Sequence, residues 1–367
     1  MIDRIVRQIP WFGPELGEPE KQLVLEAIDS NYINDGHLTR RFEREIAQLV
    51  GRKHAVAVTS GTAAISLALM GLGIGREDEV IVPDLTFIAT ANAVVMAGAT
   101  PRLVDIDPAR FCLDPECVNE AIGPRTRAII PVDVNGRGAD YHALQAIAEE
   151  HGLYLVTDSA EAFGSSWRGK PLGSFGIAGC FSFSANKTVT TGQGGMIVTD
   201  DDGLHQRLLE LKDQGRSQQG TGGDDLHPVI GFNFKLTNLQ AAIGLAQLGR
   251  LDIRLAQARI REHWYRSMLN DMTHISFPPW NEQGGEVLQW TDAIVEKRDN
   301  LKEKLSKGHI STRSFWHPLH RQAPYALQDA GFSNAIRVSA TGLWLPSAFS
   351  LTQADAAYVA ETIHASV

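Results

Sequence analysis

The sequence predicts an α/β protein, with a mostly parallel sheet in a large domain and a smaller α+β domain at the C-terminus. Short apolar runs, such as residues 128–132, alternate with helical segments between residues 54 and 213. These runs are apolar throughout, as strands buried on both faces of a parallel sheet require. The strand predicted at residues 153–158 ends in Asp158, and an acid at the carboxyl end of such a strand lies where open α/β sheets bind ligands.

Length and composition fit a two-domain enzyme. The 367 residues, 43% hydrophobic and 21% charged, can bury a large core, and we predict domains at residues 1–245 and 246–367. A formal net charge of −9 argues against nucleic-acid binding. We expect no signal peptide and no membrane span, because no long apolar run is present. The three cysteines are odd in number and have no CxxC spacing, so we expect a reducing cytoplasm. Neither the cysteines nor the histidines have metal-ligand spacing, so we expect no metal.

The N-terminal region predicts two helices, at residues 19–30 and 39–50, around the turn 31–36 that contains Tyr32. A strand at residues 54–58 then leads to the sequence Thr-Ser-Gly-Thr-Ala-Ala, which opens an apolar helix. A helix N-terminus after a strand is an anion site, because its first N–H groups have no partners within the helix. The alternative is an ordinary Ser/Thr N-cap.

Two further strand ends carry candidate ligand-binding residues. The strand at residues 79–83 is followed by Phe87, an aromatic side chain that either stacks on a flat ring or belongs to the core. Strands follow at residues 102–105 and 128–132, and a helix near residues 141–150. Asp158 either holds a pyridinium nitrogen protonated or caps a following helix, and the residues alone leave both open.

The central stretch places Lys187 between an apolar strand, residues 180–183, and a Thr/Gly-rich turn before the strand 196–199. A lysine held there is a candidate carbonyl-binding amine, and the alternative is a solvated surface lysine. The following Thr-Thr-Gly-Gln-Gly-Gly offers hydroxyl and backbone N–H groups without bulk, which suits a phosphate-bearing cofactor. Alternation along the strand points Ser182 away from both neighbouring aromatic residues.

The remaining chain predicts a helix at residues 203–213, a Gly-rich loop at 215–225 and one long linking helix at 238–268. The smaller domain follows, with strands near residues 287–295 and 311–316 and helices near 298–307 and 353–363. The polar and aromatic segment 312–325 contains Arg313 and His320, which form either substrate contacts or a surface cluster.

The segment Phe-Ser-Phe-Ser-Ala-Asn-Lys187-Thr-Val-Thr-Thr-Gly-Gln-Gly-Gly resembles a known motif. It is similar to the Schiff-base lysine motif of the pyridoxal 5'-phosphate (PLP)-dependent sugar aminotransferases, the DegT/DnrJ/EryC/StrS family. Within that family its Asn-Lys pair and Thr-Thr-Gly run look most like perosamine synthases and other enzymes that act on 4-keto sugar nucleotides. The similarity runs along nearly the whole chain.

The resemblance implies PLP fold type I, the fold of aspartate aminotransferase, with a seven-stranded type of sheet. It implies that Lys187 is the catalytic residue and holds PLP. Asp158 then pairs with the ring nitrogen, Phe87 stacks on the ring, and Glu161 lies beside the ring oxygen, where many members have Gln. The resemblance implies phosphate contacts from four residues: Thr62, Ala63, Ser182 and, from the other subunit, Asn233.

The resemblance also implies the reaction and its partners. We expect a homodimer with active sites at its interface that moves an amino group from L-glutamate to a keto sugar nucleotide, GDP-4-keto-6-deoxymannose being the expected acceptor, in deoxyamino sugar and O-antigen biosynthesis. Tyr32, Arg313 and His320 are expected substrate contacts. The family usually has His or Tyr where Asp133 and Asn135 stand, and many members have His at Ser184.

Three alternatives remain at this stage. An aminotransferase for another keto sugar (UDP- or dTDP-linked, 3-keto or 8-keto) or a cyclitol would keep every cofactor residue. A PLP-dependent sugar dehydratase typically has His in place of the lysine, so Lys187 argues against it. A cofactor-binding regulator would need a DNA-binding segment and an NAD module a GxGxxG after the first strand, and neither feature is present.

Overall fold

The computed structural model describes residues 8–217 and 226–366. The predicted Gly-rich loop therefore lies largely outside the described residues. Between residues 8 and 200 the structure has nine strands: β1 (His54–Val58), β2 (Glu79–Pro83), β3 (Thr100–Val104), β4 (Thr126–Ile129), β5 (Tyr154–Asp158), β6 (Ser166–Trp167), β7 (Lys170–Pro171), β8 (Ala178–Ser182) and β9 (Gly195–Thr199). Seven helices accompany them: α1 (Glu18–Asp29), α2 (His37–Val50), α3 (Gly61–Gly71), α4 (Ala89–Met96), α5 (Pro115–Ala121), α6 (Tyr141–His151) and α7 (Asp202–Lys212).

Seven of these strands form one sheet in the order β1-β9-β8-β5-β4-β2-β3. Only β9 runs against its neighbours, and every other pairing in the sheet is parallel. The prediction of a mostly parallel seven-stranded sheet is confirmed. Because parallel strands all end on the same side, the carboxyl ends of β2, β5 and β8 meet at one edge of the sheet.

Apolar side chains cover both faces of this sheet. Val82 of β2 and Val156 of β5 pack in one buried cluster with α3 and α4. Their strand neighbours Ile81 and Leu155 point the other way, into a second cluster with α6. Burial on both faces explains why the strands are continuous apolar runs in the sequence.

The predicted helix at residues 238–268 is wrong as a single element. Two helices stand there, α8 (Asn238–Leu248) and α9 (Leu251–Met268). The chain leaves helical geometry at Arg250, with φ −110° and ψ 4°, directly after Gly249. Glycine is a weak helix former, and the Arg250 guanidinium is held by the Glu15 carboxylate at 2.9 Å, so the break is stabilised from outside the helix.

A second, four-stranded antiparallel sheet follows in the order β10-β11-β13-β12. Its strands are β10 (Ile275–Ser276), β11 (Thr291–Val295), β12 (Arg313–Ser314) and β13 (Gly342–Leu345), and its helices are α10 (Arg298–Lys307), α11 (Ser333–Thr341) and α12 (Gln353–His364). The sequence pattern did not predict α5, α11 or β13. The proposed domain boundary at residue 245 stays a prediction. No helix in the described ranges is long and apolar enough to cross a membrane.

Buried polar contacts join the two sheets. Asn135, in a 3-10 turn after β4, donates from Nδ2 to the Trp290 carbonyl at 2.6 Å and accepts from the Trp290 N–H at 2.7 Å. Asn135 has φ 54°, a left-handed conformation that asparagine tolerates better than most residues. Arg137 forms an ion pair with Asp292 of β11, and both side chains are fully buried. Asp292 also accepts from the Trp344 indole N–H at 2.7 Å.

Replacing one partner of this pair should destabilise the protein strongly. Asp292→Ala leaves the Arg137 guanidinium buried without a counter-charge, so we expect the free energy of unfolding to fall by about 3–5 kcal/mol in urea titrations. The double variant Arg137→Leu/Asp292→Leu removes both charges, so its free energy of unfolding should fall by less than that of Asp292→Ala. An equal or larger loss in the double variant would show that packing, rather than the unpaired charge, sets the cost.

Candidate active site

A cavity of about 320 Å³ opens at the carboxyl edge of the large sheet. Its walls come from the ends of β5 and β8, the start of α3, the turn before α4 and the small sheet. Seven of the residues predicted from the sequence line it: Thr62, Phe87, Asp158, Glu161, Ser182, Lys187 and Arg313. These residues are distant in sequence, so their convergence on one cavity supports the predicted site.

Lys187 lies in the turn between β8 and β9. Its side chain is 12% exposed, and its Nζ lies 3.3 Å from Oε1 of Glu161 and 5.3 Å from the ring centroid of Trp290. The ends of the turn are joined where the Phe183 N–H donates to the Gly194 carbonyl at 2.9 Å. The amine is therefore a fixed group in a largely enclosed space, and the alternative of a solvated surface lysine is wrong.

Asp158 ends β5 and is 5% exposed. Its Oδ2 accepts from the Thr90 hydroxyl at 2.7 Å, and its Oδ1 accepts from the Ala160 N–H at 3.2 Å. Burial raises the pKa of this carboxyl, although these hydrogen bonds and the Lys187 charge oppose the shift. No helix follows in the next residues, so Asp158 is not a helix N-cap. A cation placed against it would offset the cost of burying its charge.

The N-terminus of α3 points into the cavity through Gly61 and Thr62. Ser60 caps this helix, because its Oγ accepts from the Ala63 N–H at 3.1 Å. The segment can be both an N-cap and an anion site, because the cap leaves the earlier N–H groups of the helix without a partner. Ala63 itself is buried, and its N–H is occupied by Ser60. A Cβ on Gly61 would lie 2.9 Å from Cβ of Ser182, so only glycine lets the helix approach β8 this closely.

Glu161 and Phe87 complete the walls. Oε2 of Glu161 accepts from the Asn135 N–H at 3.2 Å, and burial raises the pKa of this carboxyl against the opposing charge of Lys187. Phe87 is 51% exposed at the cavity, which a core phenylalanine would not be. Its ring is available to cover a flat ligand.

Four predicted residues do not line this cavity: Ala63, described above, and Tyr32, Asn233 and His320. Tyr32 is exposed, in a turn whose carbonyl oxygen accepts from Nδ2 of Asn238 at 2.8 Å. Asn233 is exposed on an extended segment that pairs with Asp213. His320 is fully buried, and its Nδ1 lies 2.6 Å from Oδ2 of Asp84, so its ring supports the chain rather than facing a ligand.

Sequence reasoning missed Thr90, Trp290 and Trp316 as cavity residues. Thr90 could have been found, because it lies one helical turn after Phe87 at the start of α4. The tryptophans come from the small sheet region and carry no sequence signal of their own. In the described parts of the chain, no group of three or more His, Cys, Asp or Glu side chains could hold a metal ion.

The profile of the DegT/DnrJ/EryC1/StrS aminotransferase family matches residues 14–364. This chain belongs to that family. The GDP-perosamine synthase of Caulobacter vibrioides is 40% identical to this aminotransferase over 353 residues, 94% of each chain.

Solved structures agree with the assignment. S. venezuelae DesV, in complex with a ketimine intermediate, has a TM-score of 0.91 and 32% identity, and Spr1654 of Streptococcus pneumoniae in its PLP form has a TM-score of 0.93 and 26% identity. Each comparison covers 98% of both chains. The predictions of PLP fold type I, of a transaminase and of PLP as its cofactor are confirmed.

The residues of the cavity fit PLP chemically. A buried carboxylate, Asp158, suits a protonated ring nitrogen, and the amine of Lys187 suits a carbonyl carbon. The N-terminus of α3 and the Ser182 hydroxyl offer donors to a phosphate in a space that Gly61 keeps open. No described observation of the cavity conflicts with this cofactor.

One buried acid near the site should give the aminotransferase a measurable pH dependence. Burial raises the pKa of Asp133 to about 7, although the Ser159 and Tyr141 hydroxyls, each 2.6 Å away, donate to it. The folded state then holds this proton more tightly than the unfolded chain, whose carboxyl titrates near pH ~4. Stability contributed by the protonated group should therefore fall by roughly 2–4 kcal/mol as the pH rises from about 4 to about 7.

The variant Asp133→Asn tests this expectation, because an amide keeps the shape but does not titrate. In urea unfolding at pH 5 and pH 8, the free energy of unfolding of the variant relative to that of the wild type should be higher at pH 8. Glu149→Gln on the exposed side of α6 is the control and should follow the wild type. Identical pH dependence in wild type and Asp133→Asn would mean that Asp133 stays ionised throughout.

Proposed function

We propose that this aminotransferase moves the amino group of L-glutamate to C4 of GDP-4-keto-6-deoxymannose and so forms GDP-perosamine. The observation that carries the transfer is the enclosed Lys187 amine, 3.3 Å from Glu161, in one cavity with the Asp158 carboxylate. The identity of the acceptor is supported by the 40% identity with a GDP-perosamine synthase over almost the whole chain.

PLP, when bound, supplies an electron-withdrawing ring that stabilises negative charge at the substrate carbon and carries the amino group between the two substrates. Asp158 holds the proton at the ring nitrogen, and Thr90 orients this carboxylate through its hydroxyl. Phe87 covers the ring. Gly61, Thr62 and Ser182 bind the phosphate, with the α3 dipole favouring its negative charge. Ala63 contributes indirectly, by fixing the cap of the helix.

Lys187 acts as the general acid–base once its Nζ is free. The amine would move a proton between the α-carbon of the donor and the cofactor carbon that is bonded to the transferred nitrogen. With the sugar, it would move a proton between the same two positions in the reverse direction. Glu161 accepts a hydrogen bond from this amine and limits where it can move. The Trp290 ring, whose centroid lies 5.3 Å from Nζ, gives the amine an aromatic neighbour.

The active form in this proposal is a homodimer. Asn233 is exposed and does not line the cavity of its own chain, so it can serve a cofactor phosphate only in another subunit. We place the reaction in the cytoplasm and in deoxyamino sugar synthesis for an O-antigen. The unpaired cysteines Cys112, Cys117 and Cys180 are compatible with that reducing compartment.

The departures from the family pattern at Asp133 and Asn135 do not favour another acceptor. Asn135 uses its side chain to bind the Trp290 backbone and Asp292, and Asp133 uses its carboxylate to bind Tyr141 and Ser159. Neither residue lines the cavity. Asn135 therefore concerns the junction of the sheets, and Asp133 the interior of the large domain, rather than the substrate.

The variant Lys187→Ala should lose transamination by at least about a thousandfold, because it removes both the amine that holds the cofactor and the proton carrier. The measurement is steady-state transfer from L-glutamate. Lys21→Ala, on the exposed surface of α1, is the control and should keep wild-type activity. Transfer at a normal rate by the Lys187→Ala protein would show that the central assignment is wrong.

The acceptor should be identified by the absorbance of the bound cofactor. L-glutamate should convert the yellow form to the amino form, and among GDP-, UDP- and dTDP-linked 4-keto-6-deoxy sugars the GDP-4-keto-6-deoxymannose should restore it fastest. Faster recovery with a UDP- or dTDP-linked sugar would keep the transamination and replace the acceptor. No change with L-glutamate would contradict the amino donor.

A further inference from the structure

Arg313, at the start of β12, brings a positive charge to the cavity without a bonded anion. Its guanidinium lies over two indole rings, 5.1 Å from the Trp11 centroid and 5.5 Å from that of Trp344. In the described ranges no carboxylate pairs with it, and Lys187 is the only other cationic side chain on the cavity wall. An arginine held by aromatic faces keeps its N–H edge available for an oxyanion.

Trp290 lines the same cavity and carries a second donor, a buried indole N–H. The side chain is 1% exposed, and its indole N–H has no acceptor among the described residues. A buried N–H without a partner loses its hydrogen bonds to water and gains none in return, so such groups are rare in folded proteins. Because Trp290 lines the cavity, a ligand oxygen that reaches this N–H would supply the missing acceptor.

The two donors belong to one aromatic wall. The Trp290 ring lies 5.1 Å from Trp11 and 5.0 Å from Trp344, and these are the two rings that hold the Arg313 guanidinium. One charged and one neutral donor on a common wall suit an anion with two oxygens, such as a carboxylate. The Asn135 side chain fixes the backbone of Trp290 on both sides, so this wall is preformed.

We propose that Arg313 and the indole N–H of Trp290 bind the α-carboxylate of the amino donor. This inference rests on the proposed function, because it assigns one of the two substrates to a wall of the same cavity. The Trp290 ring lies against Lys187, where the amino-bearing carbon of the donor must arrive. The α-carboxylate is bonded to that carbon. In the sugar nucleotide the diphosphate is attached to C1, across the ring from the reacting C4.

The experiment measures binding rather than turnover. Glutarate, which has carboxylates but no amine to react, and GDP, which represents the nucleotide, are titrated calorimetrically into the holoenzyme. Arg313→Gln should weaken the binding of glutarate by about tenfold to a hundredfold. Trp290→Phe keeps an aromatic ring but has no N–H, and it should weaken glutarate binding by about threefold to tenfold. Arg313→Lys should recover part of the loss. GDP affinity should change by less than about twofold.

The matched control is Arg102→Gln, which removes an exposed arginine from β3 and should leave both titrations unchanged. Weaker GDP binding with unaltered glutarate would assign the wall to the diphosphate and overturn the proposal. Unaltered binding of both ligands would mean that Arg313 serves packing only. If Arg313→Gln does not fold, Arg313→Lys and Trp290→Phe decide between these outcomes.

A kinetic split separates this inference from the proposed function. In the reaction with L-glutamate, Arg313→Gln should raise the half-saturating concentration of the donor, while the reaction of the amino form with the keto sugar nucleotide keeps its half-saturating concentration. If no keto sugar nucleotide reacts, the proposed acceptor fails, yet the glutarate titration still tests the wall. If Arg313→Gln raises only the half-saturating concentration of the keto sugar nucleotide, Arg313 does not bind the donor carboxylate, and the proposed function stands.

Discussion

The common direction of the strands in the large sheet decides where chemistry can occur in this protein. β1, β2, β3, β4, β5 and β8 all run the same way, so their carboxyl ends form a single edge. β9 alone runs the other way, and its first residue, Gly195, pairs with Ser182 at that edge. The turn between β8 and β9 must therefore lie there, and it carries Lys187. The α3 N-terminus reaches the same edge because Gly61 and Gly195 allow close backbone approach.

The electrostatics of the cavity follow from burial. Asp158 and Glu161 both lose hydration, which raises the pKa of each carboxyl, and the Lys187 charge and local hydrogen bonds act in the opposite direction. The two acids differ in their partners. Glu161 lies directly against the amine, whereas Asp158 is held by Thr90 and Ala160. One acid is thus committed to the lysine, and the other remains available to a cation on a ligand.

Local signals in the sequence were sufficient for the strands of the large sheet, because these depend on short runs of apolar residues. The same signals put Lys187, Asp158 and the α3 N-terminus at strand ends but left their roles open, and the resemblance to the aminotransferase family chose between the alternatives. Long-range contacts were beyond such signals. Nothing in the sequence near His320 indicates that its imidazole ring contacts Asp84, 236 residues earlier. Likewise, Trp290 faces the cavity because Asn135, 155 residues before it, binds its backbone. The break between α8 and α9 lies at Arg250, which pairs with Glu15, a contact that no helical pattern includes.

The polar junction between the sheets has a consequence for how substrates enter. A hinge opening between the large and small sheets would separate Asn135 from the Trp290 backbone and Arg137 from Asp292, leaving several buried donors and a charge without partners. Such a motion would be costly on every catalytic cycle. Ligands should therefore enter and leave the cavity with movements of loops and side chains rather than with separation of the two sheets.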